Sequence, residues 1–453
     1  MLSRETTMLL ETESPSLRAE IPWADPALVF AGLANQPGSI LMESQPGSDG
    51  RFSMICTKPR AILEGRGGSA TLTWGGGAQS FQSVFDGIRS ILSERKDVVA
   101  AGYLGYELHG HLRDTQIPKP GPSEPDMSDC WLGLYDSAML FDHHERRVVL
   151  MGRYGWPDLP YLTDVPTATG WSSGEPVSGF SRPEYCDAVR AVKRYIESGD
   201  VYQVNLSQRF TVATDAPPRE VYLRLRESNP APYAAYLNLG SVQIVSSSPE
   251  CFLTLDPITR AVETRPIKGT RPRGASGVVD QRLACDLLAS EKDRAENVMI
   301  VDLERNDLGR VCEFGSVRVP SLFDLESHPT VHHLVSKVSG TLRHDCGPVE
   351  LLEGCFPGGS ITGAPKIRSM EIIAELEPVR RYVYTGSIGW LGCDGSMNLN
   401  IAIRTAVFSD GMCYLHVGGG IVADSDPDME YQETLDKGRA FFEVLRCTNK
   451  ISA

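Results

Sequence analysis

Lys268 and Glu250 are side chains whose spacing would let them act together in catalysis. Lys268 lies in PIKGT, at the end of a predicted hairpin strand, and Glu250 lies in the partner strand 18 positions earlier. Folding the hairpin about DPIT places Glu250 roughly opposite Arg265 and about one pleat from Lys268. A neutral lysine is a nucleophile, and a nearby carboxyl group can serve as its acid or base. The same spacing also fits a solvated Lys–Glu pair on a sheet edge.

The glycine-rich segment CFPGGSITGAPKIRSMEII leads into a predicted helix with Pro365 in its first turn. Backbone N–H groups at a helix start, together with Ser360, Thr362 and Lys366, suit an anion. The segment lacks the spacing G-x-x-x-x-G-K-[ST], so a nucleotide is not expected. A plain structural turn is the alternative interpretation.

The segment GGGIVADSDPDMEYQETLDKG places three glycines, Gly418–Gly420, at the end of a predicted strand, where a ligand can approach the backbone closely. In the helix predicted after Ser425, Glu430, Glu433 and Lys437 lie on one face. This face could hold a metal or perform acid–base chemistry, and a solvated charged helix is the alternative. Ser425 and Asp428 have the spacing of a capping box.

The predicted helix SEKDRAENVMIVDLERNDLGR is rich in carboxylates, and Mg²⁺ takes one or two carboxylates while keeping several waters. Each carboxylate could equally be a surface charge: Glu291, Asp293, Glu296, Asp302, Glu304 and Asp307.

Arg404 lies in IAIRT, within an otherwise apolar predicted strand. A buried arginine needs a partner, and a substrate carboxylate would serve. The adjacent His332 and His333 could hold substrate or satisfy the core, and one of them is expected in the core.

The order of predicted strands and helices that must position these side chains indicates an α+β (mixed α/β) fold with antiparallel sheets. Residues 1 to about 155 read as strand-rich, with a helical pattern near 80–95, and four prolines at 157–176 mark a linker. A helix capped by Ser181 opens the second unit, followed by the strand VYQVNLSQRFTV and a helix near 217–228. SMNLNIAIRTAVF and MCYLHVGGG are predicted as strands. The predicted units are 1–165 and 178–445.

Composition excludes several classes of protein. The chain has 453 residues and a net charge of −14, which argues against broad binding to nucleic acid or to an anionic membrane. It contains no apolar run long enough for a membrane span, and its N-terminus has no secretory signal. The eleven cysteines show no zinc spacing. These features together predict a cytoplasmic protein with reduced thiols.

The segments PIKGT, DRAEN, GGSITGAPK and GGGIVADSDPDMEYQET occur here in the order typical of chorismate-utilising enzymes, which this chain resembles. ILMESQPGSDGRFS and AAGYLGYEL extend the resemblance to the N-terminal unit. It implies two intertwined subdomains with packed antiparallel sheets and helices outside. Within the family the chain is most similar to aminodeoxychorismate synthase component I, which implies conversion of chorismate and ammonia to 4-amino-4-deoxychorismate for p-aminobenzoate and folate.

The resemblance also implies a role for individual residues. Lys268 matches the family nucleophile, which attacks ring carbon 2, and Glu250 matches the acid that protonates the hydroxyl leaving carbon 4. Glu296 and Glu433, with Glu430 close by, match ligands of Mg²⁺. The remaining matches surround the substrate carboxylates and ring: Thr362, Arg404, Lys437, Gly418, Gly419, Gly420, Tyr384 and His333.

Relatives differ at identifiable positions. Anthranilate synthase component I, the alternative function, usually has Ala where this chain has Lys268, and isochorismate and salicylate synthases carry a lysine base in place of Gln203. The chain has no G-x-C-x-G nucleophile elbow, so a separate glutaminase subunit is expected to supply ammonia. Other residues resemble a tryptophan pocket, with ordinary packing as the alternative: Glu43, Ser44, Arg51, Phe52, Pro232 and Tyr233.

Overall fold

The computed structural model describes residues 17–45, 50–94, 99–112, 117, 124–152 and 170–446. Its strands, numbered along the chain, are β1 Leu17–Pro22, β2 Ser39–Glu43, β3 Phe52–Cys56, β4 Ala61–Arg66, β5 Ser69–Trp74, β6 Gly77–Phe81, β7 Val99–Leu104, β8 Cys130–Tyr135, β9 Ser137–Asp142, β10 Arg147–Gly152, β11 Val177–Ser178, β12 Gln203–Ala213, β13 Tyr233–Asn238, β14 Gln243–Ser248, β15 Cys251–Leu255, β16 Ala261–Arg265, β17 Ile267–Pro272, β18 Arg318–Ser327, β19 Val331–Thr341, β20 Gly363–Ala364, β21 Ser387–Gly392, β22 Met397–Asn400, β23 Thr405–Ser409 and β24 Met412–Ile421.

The α-helices are α1 Pro26–Ala31, α2 Val84–Glu94, α3 Arg182–Glu197, α4 Pro218–Ser228, α5 Gly277–Ala289, α6 Glu291–Gly309, α7 Pro348–Cys355, α8 Lys366–Leu376 and α9 Pro427–Leu445. Short 3₁₀ helices cover Tyr106–His111 and Gly359–Ile361. Among the described residues, no helix is both long enough and apolar enough to span a bilayer.

The strands form two antiparallel sheets. The first has the order β1-β10-β9-β3-β2-β13-β14-β23-β24-β12-β11, with β20 beside β12, and the second has the order β17-β19-β16-β15-β22-β21-β7-β8-β4-β5-β6, with β18 beside β19. The predicted units 1–165 and 178–445 each contribute strands to both sheets, and the linker prolines before residue 170 lie outside the described residues.

Four apolar cores among the described residues hold the layers together. One lies between the sheets, since it joins Ile40 and Ile244 of the first sheet to Tyr103 and Ile388 of the second. Two others cover the outer faces, with α1, α4 and α9 packed on the first sheet and α2, α6 and α7 on the second. The fourth packs α3 and α8 against β12. The predicted α+β class with packed antiparallel sheets and helices outside is confirmed.

Local signals predicted some helix starts correctly and others not. Ser181 caps α3, as predicted, and does so through a reciprocal capping box with Glu184. Pro365, predicted in the first turn of its helix, is instead the N-cap of α8. The predicted cap of α9 by Ser425 is wrong: Asp426 is the N-cap, because Pro427 occupies the first helical position. The Ser425 hydroxyl instead donates to Glu430 at 2.6 Å.

The strand predicted over SMNLNIAIRTAVF is in fact two strands in different sheets. β22 belongs to the second sheet and β23 to the first, and Arg404 lies between them with φ 49°. Likewise β14 lies in the first sheet and β15 in the second, with Glu250 between them. The two crossing segments are bonded to each other, since Ile401 N–H donates to Glu250 O at 3.0 Å and Ser247 N–H to Arg404 O at 3.0 Å.

Candidate active site

Glu250 lies where the chain passes from the first sheet to the second, and it is 4% exposed. Burial raises its pKa to about 7, against the lowering effects of a hydrogen bond from Ser360 and the charges of Lys268 and Arg404. A carboxyl group with this pKa is partly protonated at neutral pH, so Glu250 is suited to donate a proton there.

Lys268 reaches the same region from β17, which pairs with β19 after Pro266. Its Nζ lies 2.9 Å from Oε1 of Glu296 on α6, and Gln203 Nε2 donates to the same oxygen at 2.6 Å. Burial raises the pKa of Glu296, but the charge and hydrogen bond of Lys268 and the hydrogen bond of Gln203 outweigh it and leave the pKa below its ordinary value. Glu296 is therefore ionised and faces the lysine.

The glycine tripeptide of β24 lets carboxylates approach the backbone. A Cβ on Gly420 would lie 2.8 Å from Glu296 Oε1, and a Cβ on Gly419 would lie 3.2 Å from Glu430 Oε2 and 3.3 Å from Glu433 Oε1. Carboxylates from α6 and α9 thus converge on a strand whose side chains would otherwise fill the space between them.

The carboxylates beside Gly418–Gly420, here called the glycine cradle, are only partly paired with cations of the protein. Lys437 lowers the pKa of Glu433, which it contacts at 2.7 Å, and its Nζ also donates to Gly418 O at 2.8 Å. Burial raises the pKa of Glu430, and the charge of Glu433 adds to that effect. The described residues contain no group of three His, Cys, Asp or Glu side chains close enough to form a complete metal site. Magnesium requires only one or two carboxylates with water, so this donor set fits it.

Arg404 and His333 each present a polar group that makes no hydrogen bond to another described residue. The Arg404 guanidinium makes no hydrogen bond or ion pair within the described ranges, and burial lowers its pKa while the charge of Glu250 raises it. His333 Nδ1 contacts Thr270 Oγ1 at 2.9 Å, and its buried Nε2 has no hydrogen bond among the described residues. Burial and the charge of Arg404 hold the pKa of His333 well below its ordinary value. A neutral imidazole and a free cation therefore remain available to an anionic ligand.

Comparison with known proteins agrees with this geometry. The sequence pattern of the chorismate binding enzyme family matches residues 38–443. The chain belongs to this family. It is 40% identical to aminodeoxychorismate synthase component 1 of Klebsiella aerogenes over 448 residues, covering 94% of this chain and 97% of that one. It is 35% identical to anthranilate synthase component 1 of Pseudomonas putida over 94% of each chain.

Solved structures share the fold. Anthranilate synthase component I from Streptococcus pneumoniae TIGR4 superposes with a TM-score of 0.75 at 30% identity, covering 88% of this chain and 93% of that one. The menaquinone-specific isochorismate synthase MenF of Escherichia coli superposes with a TM-score of 0.73 at 17% identity. The resemblance stated from the four motifs is confirmed at the level of the family.

Two residues of the glycine-rich motif of this chorismate-binding enzyme form hydrogen bonds to other residues of the protein. Thr362 Oγ1 donates to Gly358 O at 3.0 Å, and Lys366 Nζ donates to Asp307 Oδ2 at 2.5 Å. Lys366 is therefore part of a buried ion pair and not an anion ligand. Tyr384 stacks on His416, with ring centroids 5.2 Å apart, and is buried.

A small open cavity lies where the tryptophan-pocket residues were predicted. Arg51 is not among its lining residues and instead pairs with Asp142 through bonds of 2.9 and 2.7 Å. The Glu43 carboxylate accepts hydrogen bonds from Tyr222 and Arg226, so its negative charge is already paired with Arg226. The predicted residues that line the cavity are Glu43, Ser44, Phe52, Pro232 and Tyr233.

Sequence reasoning missed two contacts of this enzyme. Gln203 was considered only as a departure from relatives, yet it shares Glu296 with Lys268. Ser360 was grouped with anion ligands, yet it hydrogen-bonds Glu250. Both pairs are far apart in the chain, and no local pattern joins them.

We expect Glu250→Gln to become more stable than the unsubstituted chain as pH rises. Burial raises the Glu250 pKa from 4.5 to about 7, so the stability of the unsubstituted chain is full below pH 4.5 and falls as pH rises through about 7. The difference is roughly 3 kcal/mol by pH 8, at about 1.4 kcal/mol per pKa unit. Thermal unfolding at pH 4.5 to 8.5 measures it, with the exposed Glu443→Gln as control. Parallel pH profiles for Glu250→Gln and the unsubstituted chain would contradict the assignment.

Proposed function

We propose that this chain is an aminodeoxychorismate synthase component 1, which converts chorismate and ammonia to 4-amino-4-deoxychorismate. The observation that carries the proposal is Lys268, placed beside Glu296 and within the electrostatic reach of Glu250. Relatives named aminodeoxychorismate synthase component 1, from Klebsiella aerogenes, Escherichia coli K12, Salmonella typhimurium LT2 and Bacillus subtilis 168, are 36–40% identical over at least 91% of this chain.

The residues support a two-step displacement. Lys268 gives up its contact with Glu296 and releases a proton to solvent water. Its neutral amine then attacks ring carbon 2, which leaves the positive charge on the bound nitrogen until it departs again as a neutral amine. The double bonds shift, and Glu250 gives its proton to the hydroxyl that leaves carbon 4 as water. Ammonia then attacks carbon 4, the double bonds shift back, and the bond from carbon 2 to Lys268 breaks. Ionised Glu250 takes the proton that ammonia loses, which restores the acid.

Around this centre, cations meet the anionic substrate. Arg404 has no protein partner in the described chain, Lys437 lies at the glycine cradle, and His333 is held neutral. Arg404 and Lys437 are placed to pair with substrate carboxylates, while His333 and Tyr384 line the ring and Thr362 holds the loop beside it. This arrangement explains how an acidic protein can bind a dianion.

Glu296 and Glu433, with Glu430 beside them, are proposed to hold Mg²⁺. When bound there, Mg²⁺ would neutralise the charge of the substrate's ring carboxylate and orient the ring. The crowding of the carboxylates at Gly419 and Gly420 supports this assignment.

The ammonia is proposed to come from a separate glutaminase subunit, since no cysteine in this sequence has the G-x-C-x-G setting. The component 1 name of the relatives supports this division of labour. Alone, the chain should use free ammonia.

Anthranilate synthase component 1 is the second candidate, because relatives of that name are also similar over most of the chain. The lysine at 268 favours the first candidate, since that family usually has Ala at the corresponding position.

A product assay with a Lys268→Ala variant separates the two functions. With chorismate, Mg²⁺, ammonium and added aminodeoxychorismate lyase, we expect the unsubstituted chain to yield p-aminobenzoate. Lys268→Ala should lose about 100-fold or more of this activity, the scale of an essential group in acid–base or covalent catalysis. Lys337→Ala, which removes a lysine paired with Glu263, is the matched control. Anthranilate with pyruvate from the unsubstituted chain would establish the second candidate.

A magnesium titration tests the proposed metal ligands. Glu433→Gln should raise the Mg²⁺ dissociation constant at least about tenfold, because loss of a ligand or its support weakens metal sites by that order. Glu443→Gln, on the same helix and exposed, should not change it. Calorimetry of Mg²⁺ binding measures both variants, and equal constants would remove Glu433 from the site.

The cavity at Phe52 and Tyr233 is proposed to bind tryptophan. Tryptophan should then raise the melting temperature of the chain, since a ligand that binds the folded state stabilises it. Phe52→Ala should lose most of that response, whereas Phe314→Ala, at a fully exposed phenylalanine, should keep it. A melting temperature that tryptophan does not change would leave the cavity as a packing feature.

A further inference from the structure

Glu304 is a buried carboxyl group with no role in the proposed reaction. It lies on α6, about two turns beyond Glu296, and is 2% exposed. Its Oε1 accepts the N–H of Gly359 at 3.0 Å, and its buried Oε2 has no hydrogen bond within the described residues. An unsatisfied buried oxygen is costly, so its presence requires a compensating role.

The loop of residues 358–360 joins Glu304 to Glu250. Gly359 N–H binds Glu304, and the next residue, Ser360, hydrogen-bonds the carboxyl group of Glu250. The loop is pressed against α6, because a Cβ on Gly359 would lie 2.7 Å from Leu303 Cδ2. A displacement of Gly359 is therefore passed directly to the hydroxyl that holds Glu250.

The two sides of this loop are fixed by a second interaction. Lys366 Nζ donates to Asp307 Oδ2 at 2.5 Å, to Cys355 O at 2.8 Å and to Pro357 O at 2.7 Å, which uses all three of its N–H groups. These bonds fix Cys355 and Pro357 before the loop and Lys366 after it. The hydrogen bond from Gly359 to Glu304 then sets the position of the middle of the loop.

Glu304 and Glu250 also interact through charge. Burial and the charge of Asp307 raise the pKa of Glu304, with Lys366 opposing them and Glu250 adding a smaller rise. These effects favour the protonated form of Glu304, which binds the loop amide without adding a negative charge beside the catalytic acid.

We propose that Glu304 is a positioning residue for Glu250 and acts through the Gly359–Ser360 backbone. This inference rests on the proposed function, in which Glu250 is the acid for the leaving hydroxyl. A role confined to stability would lower the melting temperature and weaken substrate binding. A positioning role reduces kcat while leaving the KM for chorismate nearly unchanged, because the proton transfer itself is impaired.

A double-mutant cycle in the full chain tests the proposal, with chorismate consumption at saturating ammonia as the assay, whichever product forms. Glu304→Ala and Ser360→Ala should each lower kcat about tenfold or more, a part of what a general acid contributes. The double variant should be no slower than the slower single variant, since both act through one contact. Glu304→Gln keeps an acceptor for Gly359 N–H and should recover most of kcat.

Each other outcome has a defined meaning. Effects of Glu304→Ala and Ser360→Ala that multiply would overturn the proposal, as would a KM change that accounts for the lost activity. So would Glu304→Gln losing as much kcat as Glu304→Ala while all variants keep their melting temperatures. An unsubstituted chain that consumes no chorismate would overturn the proposed function together with this inference.

Discussion

The ion pair between Lys268 and Glu296 is the contact on which the candidate site depends. Lys268 comes from the second sheet and Glu296 from a helix, and Gln203 of the first sheet donates to the same oxygen. One carboxylate oxygen therefore joins both sheets and a helix. It can reach that position because Gly420 has no side chain, since a Cβ there would lie 2.8 Å from the oxygen. Gly420 and the Lys268–Glu296 ion pair together set how closely α6 approaches β24 and β17.

The crossing segments extend this arrangement. Glu250 and Arg404 both lie where the chain leaves one sheet for the other, and their segments are hydrogen-bonded to each other. At such a point the backbone leaves the regular ladder, so side chains can point into the space between the sheets rather than along a strand face. The acid and the unpaired cation therefore share one structural origin.

Local patterns in the sequence were enough to predict most elements, but not how those elements assemble. The helix cap at Ser181 is local and was correctly predicted. The division of SMNLNIAIRTAVF into β22 and β23, which join different sheets, was not, because an apolar run does not show which sheet each half joins. Lys366 looked like an anion ligand beside a glycine loop, and only the distant Asp307 shows that it is structural. The family resemblance brought the motifs together, since each one alone had an ordinary structural explanation.

Placing acids in this interior has a physical cost that constrains the site. Burial raises the pKa of Glu250 to about 7 and also raises that of Glu304, so each carboxyl group destabilises the folded chain as it ionises. Lys366 opposes that cost at Asp307 through its charge and a hydrogen bond, although burial still leaves the pKa of Asp307 raised. Glu250 cannot be paired so closely, since a fixed cation would lower its pKa and remove the proton that it must donate. Among the described residues, Glu250 therefore has no close ion pair, and the strong ion pairs lie around it at Lys268 and Lys366.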